Sequence, residues 1–295
     1  MPPRHHQVVT PALIPLDQAH PLLSNFSSFL TVAIHNLLFY RGIYPATTFL
    51  STRAYNLPVH QNRHPKVCTW ITDAVTSVNN QLISGHVSRI VIVLHAPLSG
   101  LPEPSSPTLS QSQTYLKPLP PPGAVLERWL FDVSRFPAWP HKPKESSVKA
   151  MSDYGRMLGK EAKIEESREK HVADTSVNWT DVNEQLRGVL RRMAITAEKM
   201  DALPEGCTFT VAVELREAGL APIGHPQAWI PSEPNLQPAS KSRSAPGEDV
   251  GGAKTTPIRS VQAGPLFFEC WVEEGKAKEG FLSPEPVPYS QESEL

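Results

Sequence analysis

The sequence predicts an α+β fold in which one antiparallel sheet is packed by three helices on one face. Three segments carry apolar residues at helical spacing, and several others alternate apolar and polar residues as half-buried strands do. These elements follow one another as helix, two short strands, helix, hairpin, helix and strand. Two strands joined by an extended connection, then a helix and a further strand, are typical of an antiparallel sheet.

The helical periodicity covers the segments 22–43, 64–85 and 177–200. Gly42 ends the first segment, since glycine readily adopts the left-handed conformation that follows a helix. In the second segment, Pro65 suits the first turn of a helix and Gly85 ends that helix. The third segment keeps an apolar face despite Gly188 in its interior, so we expect it to be a helix as well.

The strand-like segments are 47–60, 87–96, 124–136 and 207–215, the first of them divided into two short pieces. The run 87–96 is almost continuously apolar, and we expect 124–136 to pair with it. In 207–215, Phe209, Val211 and Val213 alternate with polar or small residues, which indicates one buried face.

Segments of unusual composition separate these elements. We expect a flexible N-terminus at 1–21, disordered inserts at about 97–122, 137–176 and 232–256, and a flexible tail at 276–295. The second insert holds a candidate solvated helix at 158–171. The folded domain is therefore predicted to span 22–275.

Charge and cysteine content restrict the function. The 28 basic and 29 acidic side chains leave no basic surplus, so direct binding to nucleic acid is not expected. A DNA-binding insert at 137–176 is an alternative, but its balanced charge argues against it. Three widely spaced cysteines predict no disulfide framework or zinc site, and we find no signal peptide or membrane span. We therefore expect a soluble intracellular protein.

No motif for catalysis is present, so the chain is not expected to be an enzyme and no cofactor or metal is predicted. His60 and His64 are spaced as a metal pair only if helical, and prolines flank them. Cys207 is interpreted as a small buried residue, with a nucleophile as the alternative that thiol labelling would test. Arg187, with Arg191 and Arg192, suits either a partner contact or a solvated helix face.

Five stretches together resemble the HORMA domain: "FLTVAIHNLLFYRGIYPATTF", "YNLPVHQNRHP", "WITDAV", "RIVIVL" and "GCTFTVAVELREA". The similarity runs in blocks from about Phe26 to Glu274. Within the family it is greatest to the branch of accessory, non-catalytic subunits of translesion DNA polymerase zeta, the MAD2B type. The shared order of the blocks makes the resemblance specific.

The resemblance implies that residues 216–275 form a safety belt, which encloses a partner peptide added to an exposed sheet edge. It implies a peptide-binding role for five residues: Tyr44, Trp70, Trp229, Ile230 and Pro231. Trp70 and Trp229 match aromatic residues around the peptide, and an ordinary core tryptophan is the alternative for each. Pro231 stands where animal members have a leucine, which departs from the family pattern.

The resemblance also implies a second interface on the terminal belt strands at 256–261 and 265–274, which are expected to pair. Thr255, Glu269 and Trp271 match positions that bind the C-terminal domain of a scaffold translesion polymerase, although only the aromatic residue is kept in kind. Arg187 matches an arginine used in HORMA homodimer or heterodimer contacts.

The function that the resemblance implies is that of a nuclear adaptor, with the cytoplasm as a second location. It would hold a proline-containing peptide of the catalytic subunit of DNA polymerase zeta and bridge it to the scaffold polymerase in translesion synthesis. The alternative is a spindle-checkpoint adaptor that inhibits the anaphase-promoting ubiquitin ligase.

Overall fold

A computed structural model describes residues 16–98, 121–137, 177–216 and 254–280. Its helices are α1 (Leu16–Tyr40), α2 (Pro65–Ile83) and α3 (Trp179–Lys199). Its strands are β1 (Phe49–Ala54), β2 (Leu57–Asn62), β3 (Val87–His95), β4 (Val125–Asp132), β5 (Thr208–Leu215), β6 (Lys254–Ala263) and β7 (Leu266–Glu274). Short 3-10 helices lie at Ala46–Thr48 and Lys276–Gly280. The α+β class is confirmed.

The main sheet has five strands in the order β5-β3-β4-β7-β6, and β1 and β2 form a separate two-stranded sheet. Every pair is antiparallel. The predicted pairing of 87–96 with 124–136 is confirmed, with Ile90 opposite Phe131. The predicted pairing of the two terminal strands is confirmed as well, with Val261 opposite Phe268.

The core lies between the helices and one face of the sheet, with α1 at its centre. Phe26 and Phe29 of α1 pack edge-on or tilted against Phe268 and Phe131 of the sheet. By length and composition alone, α1 could cross a membrane. Its apolar residues are instead largely buried against protein, as in the central helix of a core.

Three predicted boundaries need correction. The N-terminus is helical from Leu16 rather than flexible to residue 21, since Ala19 and Leu22 are buried even though Pro21 lacks an amide donor. The third insert ends before Lys254, where β6 begins. The tail does not begin at residue 276, because Lys278 is buried in an ionic cluster.

The cores of the predicted inserts, 99–120, 138–176 and 217–253, lie outside the described residues, and so does the candidate helix at 158–171.

Candidate peptide-binding site

Strand β5 is an edge strand that pairs with β3 on one side and with no described strand on the other. Its backbone therefore presents a row of N–H and C=O groups to an added strand. The side chains of Phe209, Val211 and Val213 face the helices and are only half-buried. This edge can accept an extended peptide, whose side chains would reach that apolar face.

Three aromatic side chains lie together at the beginning of β5. Trp70 of α2 meets Phe209 at 4.9 Å between ring centroids in a T-shaped pair, and Tyr44 meets the same ring at 6.4 Å. Tyr44 reaches this position because Gly42, with φ +64°, turns the chain after α1. Burial raises the pKa of Tyr44 above its ordinary value. These residues form an aromatic wall beside the free edge.

Of the five residues expected to contact a peptide, the structure brings Tyr44 and Trp70 together. Trp229, Ile230 and Pro231 lie outside the described residues. Phe209 was missed as a site residue, although its place in the strict alternation of β5, beside a helix that carries a tryptophan, was a usable signal. The chain leaves β5 at Arg216 and returns to the sheet at Lys254, at the opposite edge.

That opposite edge, β6, is protected in three ways. Pro257 removes one backbone donor, and a bulge between Pro257 and Arg259 breaks the regular pairing. The strand also packs on α3, where Gly188 leaves room for the guanidinium of Arg259. Arg259 donates from Nη2 to Oε1 of Gln185 at 2.7 Å. Proline, a bulge and a covering helix all discourage further strand pairing.

The predicted second interface lies on the outer face of the β6–β7 hairpin. Glu269 and Trp271 are two residues apart on β7, and Thr255 pairs with Glu273 on the same face. Trp271 donates from Nε1 to Oε1 of Glu273 at 2.9 Å, and Arg89 lies over its ring at 5.7 Å from the centroid. The structure therefore brings Thr255, Glu269 and Trp271 onto one surface.

Ion pairs cross this outer face from β5 to β7. Arg89 contacts Asp132 at 3.2 Å and Glu214 at 3.0 Å. Arg128 contacts Glu214 at 2.6 Å and Glu273 at 3.2 Å. Glu214, near the end of β5, is therefore already paired with two arginines.

A second ionic cluster lies in the interior, around the fully buried Glu127 of β4. Arg41 donates to both of its oxygens, from Nη2 at 2.6 Å and Nε at 3.0 Å. Lys278 donates from Nζ to the same carboxylate at 2.7 Å and to Glu274 at 2.5 Å. The indole N–H of Trp129 also donates to Glu127, at 3.1 Å.

This cluster joins separate parts of the chain. Arg41 also donates to the carbonyls of Ala197 and Asp201, at and beyond the end of α3. Burial alone would raise the pKa of Glu274, but the hydrogen bond and charge of Lys278 bring that pKa below its ordinary value. The segment after β7 is thus fastened to the core by the ion pairs of Lys278.

Arg187 lies on the exposed surface of α3 and forms an ion pair with Glu184, one turn earlier. Tyr44 lies after α1, Trp70 on α2 and Phe209 on β5, so the three aromatic residues belong to other elements than Arg187. Its predicted role in a dimer or partner contact remains a prediction.

The residues considered for catalysis or metal binding are placed as follows. Cys207 is buried, and burial is the main cause that raises the pKa of its thiol to about 11. His60 lies in β2 with its ring stacked on Phe39, whereas His64 precedes α2, so the two do not share a helix face. Within the described ranges, no group of three or more His, Cys, Asp or Glu side chains could hold a metal ion.

Comparison with protein families gives a match between residues 24–262 and the model of the HORMA domain. Among curated proteins, the chain is 24% identical over 249 residues to the DNA polymerase zeta processivity subunit of Schizosaccharomyces pombe, covering 84% of this chain and 90% of that protein. It is also 24% identical over 259 residues to the mitotic spindle assembly checkpoint protein MAD2B of Danio rerio, covering 85% and 89%.

Among solved structures, a chain of the mitotic checkpoint complex superposes with a TM-score of 0.52 at 18% identity, covering 86% of this chain and 98% of that one. Caenorhabditis elegans HTP-2, solved bound to the HIM-3 closure motif, superposes with a TM-score of 0.50 at 9% identity, covering 93% and 98%. At these identities the likeness concerns the fold alone.

Proposed function

The chain belongs to the HORMA domain family and has the HORMA fold, and we propose that it is a non-catalytic adaptor for a partner peptide. The observation that carries the proposal is the free edge of β5 beside the aromatic wall of Tyr44, Trp70 and Phe209. The peptide is a proline-containing segment of the catalytic subunit of DNA polymerase zeta. The relative of this chain in S. pombe is named as a processivity subunit of DNA polymerase zeta, which supports that choice of peptide.

The peptide adds to β5 as a further strand, so that its backbone satisfies the free N–H and C=O groups of the edge. Flat aromatic side chains suit a proline-containing ligand, because they offer a large contact area with few rotatable bonds. The safety belt, residues 216–275, then encloses the peptide, with Trp229, Ile230 and Pro231 against it. Enclosure slows dissociation without requiring a large contact area.

The outer face of the β6–β7 hairpin gives the adaptor its second partner. Thr255, Glu269 and Trp271 bind the C-terminal domain of a scaffold translesion polymerase, and Arg187 serves a contact between HORMA domains. The two surfaces lie on different strands, which allows both partners to bind at once. In this role the protein works in the nucleus during DNA-damage bypass.

Calorimetric titration tests the proposal with overlapping peptides that cover the polymerase zeta catalytic subunit of the same organism. We expect one proline-containing peptide to bind the wild-type chain. Trp229→Ala and Trp70→Ala should each weaken the binding of this peptide by about 2–4 kcal/mol, as substitutions of aromatic anchors do in enclosed interfaces.

Ile195→Ala is the matched control, since Ile195 is an exposed apolar residue on α3, away from the site. Its peptide affinity should equal that of the wild type. Absence of binding by the folded wild-type chain would contradict the proposal, and an unchanged affinity in Trp229→Ala would contradict the role of that residue.

A spindle-checkpoint adaptor is the second candidate, favoured by a relative named as a checkpoint protein, MAD2A of Dictyostelium discoideum, at 21% identity over 210 residues. Mass spectrometry of proteins captured by the tagged full chain separates the two candidates. Subunits of the anaphase-promoting ubiquitin ligase or its activator would favour the checkpoint function, and polymerase zeta subunits the bypass function.

A further inference from the structure

Acidic residues are absent from a long part of the chain that borders the free edge. Between Asp17 and Asp73 the sequence has no Asp or Glu, although it has four Arg or Lys residues. This part forms almost all of α1, the β1–β2 hairpin and the beginning of α2. Arg41 is neutralised internally by Glu127, so the remaining three cations give this surface a positive charge.

Two of these cations, Arg63 and Lys66, lie next to the aromatic wall. Lys66 precedes Trp70 by four residues on α2, and side chains at that spacing share one helix face. Arg63 donates from Nη2 to the carbonyl of Thr47 at 2.6 Å, which holds its guanidinium on the turn that follows Tyr44. Both side chains are exposed, and no carboxylate in the described ranges pairs with either.

The two ends of β5 differ in how their charged side chains are paired. Trp70 contacts Phe209, the second residue of β5, so Arg63 and Lys66 lie towards the beginning of the strand. Near the far end, Glu214 is paired with both Arg89 and Arg128. At the beginning of β5, neither Arg63 nor Lys66 forms an ion pair with a carboxylate in the described part of the chain, whereas Arg216, just after the far end, donates from Nε to the carbonyl of Val87.

We propose that Arg63 and Lys66 form a cationic subsite that selects peptides with Asp or Glu just beyond the segment paired with β5. The inference rests on the proposed function, because it concerns the same peptide. An acidic flank places its carboxylates near both cations without disturbing the paired strand. Exposed charges of this kind mainly speed association and discriminate among partners, and salt screens them.

The first experiment selects binders from a displayed library of random 12-residue peptides, using the full chain. Wild-type protein should enrich peptides with Asp or Glu at one end of a common core. The double variant Arg63→Gln/Lys66→Gln should enrich the same core without the acidic bias. The matched control, Arg191→Gln/Lys199→Gln, removes the same charge from exposed positions on α3 and should keep the bias.

The second experiment measures one selected peptide and its counterpart with Asn and Gln in place of Asp and Glu. At low salt, wild type should prefer the acidic peptide by about threefold to tenfold, the range that two exposed ion pairs supply. The preference should vanish in Arg63→Gln/Lys66→Gln and shrink at 500 mM salt in the wild type.

Two results would overturn the inference, and they are distinguishable. Equal enrichment of acidic and neutral flanks, with a common core retained, rejects the cationic subsite and leaves the proposed function standing. Failure of the folded wild-type chain to enrich any peptide rejects the proposed function and this inference with it.

Discussion

The two outer strands of the main sheet, β5 and β6, differ in how their free edges are treated. Strand β6 carries Pro257 and a bulge and is packed on α3. Strand β5 has no proline, its residues favour extended structure, and its pairing with β3 is regular from Arg89 to His95. An unprotected edge risks aggregation, so keeping one is costly unless a partner uses it. The difference is the one that the proposed peptide site on β5 requires.

The difference extends from the edges into the interior. The hairpin side is fastened by the buried cluster of Arg41, Glu127 and Lys278, whereas the β5 side is bordered by half-buried aromatic residues. Buried charges that satisfy one another hold a particular arrangement, because breaking one pair leaves the other charge uncompensated. Half-buried aromatic rings instead keep apolar area available for a ligand. One side of the sheet is thus consolidated, and the other is prepared for addition.

The largest expected effect comes from breaking the consolidated side. Glu127→Gln leaves Arg41 and Lys278 buried without their shared carboxylate, and should lower the free energy of unfolding by about 3–5 kcal/mol. Urea denaturation measures it. The control Glu184→Gln, which breaks the exposed pair with Arg187, should cost less than about 1 kcal/mol. Equal losses in the two variants would show that the buried cluster does not consolidate the hairpin side.

The second prediction concerns the binding side. Phe209→Ala removes the ring that contacts both Trp70 and Tyr44. The variant should weaken the binding of the peptide to β5 by about 2 kcal/mol. Calorimetry measures the affinity, and a thermal melt checks that the variant is folded. If affinity is unchanged, the aromatic wall does not contribute to the peptide site.

A smaller effect tests how β6 is held on α3. A Cβ at position 188 would lie 2.7 Å from Nη1 of Arg259, so Gly188→Ala displaces that side chain and loses its bond to Gln185. Alanine also favours the helix by about 1 kcal/mol, so the single variant should be nearly neutral. In an Arg259→Ala background, Gly188→Ala should raise the free energy of unfolding by about 1 kcal/mol.

Urea denaturation of the four proteins in this double-mutant cycle gives the coupling between the two positions. A coupling of zero would show that Arg259 does not hold β6 against Gly188.

The smallest expected effect is the pH dependence that Glu274, on the hairpin side, gives to the free energy of unfolding. The pKa of Glu274 is lowered in the folded state, so its contribution to stability is present above its ordinary value of 4.5 and is lost as pH falls below it. The added slope for one carboxyl cannot exceed about 1.4 kcal/mol per pH unit. Glu274→Gln should flatten the stability profile below about pH 4.5. A profile identical to wild type would contradict the pairing with Lys278.

Much of the fold could be predicted because the patterns are local. A helix or a strand can be recognised from the spacing of a few apolar residues, such as Phe26 and Leu30 on α1 or Phe209 and Val211 on β5. The boundaries at Leu16 and after Glu274 could not be predicted in this way. Pro21 and the lysine-rich "GKAKEG" both argue against order when read locally. Burial of Leu22 and Lys278 against distant residues overrides those signals.

The candidate site was predictable only in part. Trp70 and Tyr44 were identified through resemblance to a family, and the structure brings both to Phe209. Glu127 could have been noticed, since it alternates in phase with the buried Trp129 and Phe131. A carboxylate at such a position signals a buried partner, but the alternation does not say which cation supplies it.

By itself, the sequence determined the types of the elements, their order and the antiparallel pairing of β3 with β4, because these follow from periodicity and from the succession of elements along the chain. Tertiary structure alone decided that β7 pairs with β4, so that β5 and β6 are the outer strands of the sheet in the described ranges. It also decided the charge partners, since Arg41 reaches Asp201 and Lys278 reaches Glu127 across 160 and 151 positions of the chain. Contacts at such separations depend on the whole fold, and no local pattern encodes them.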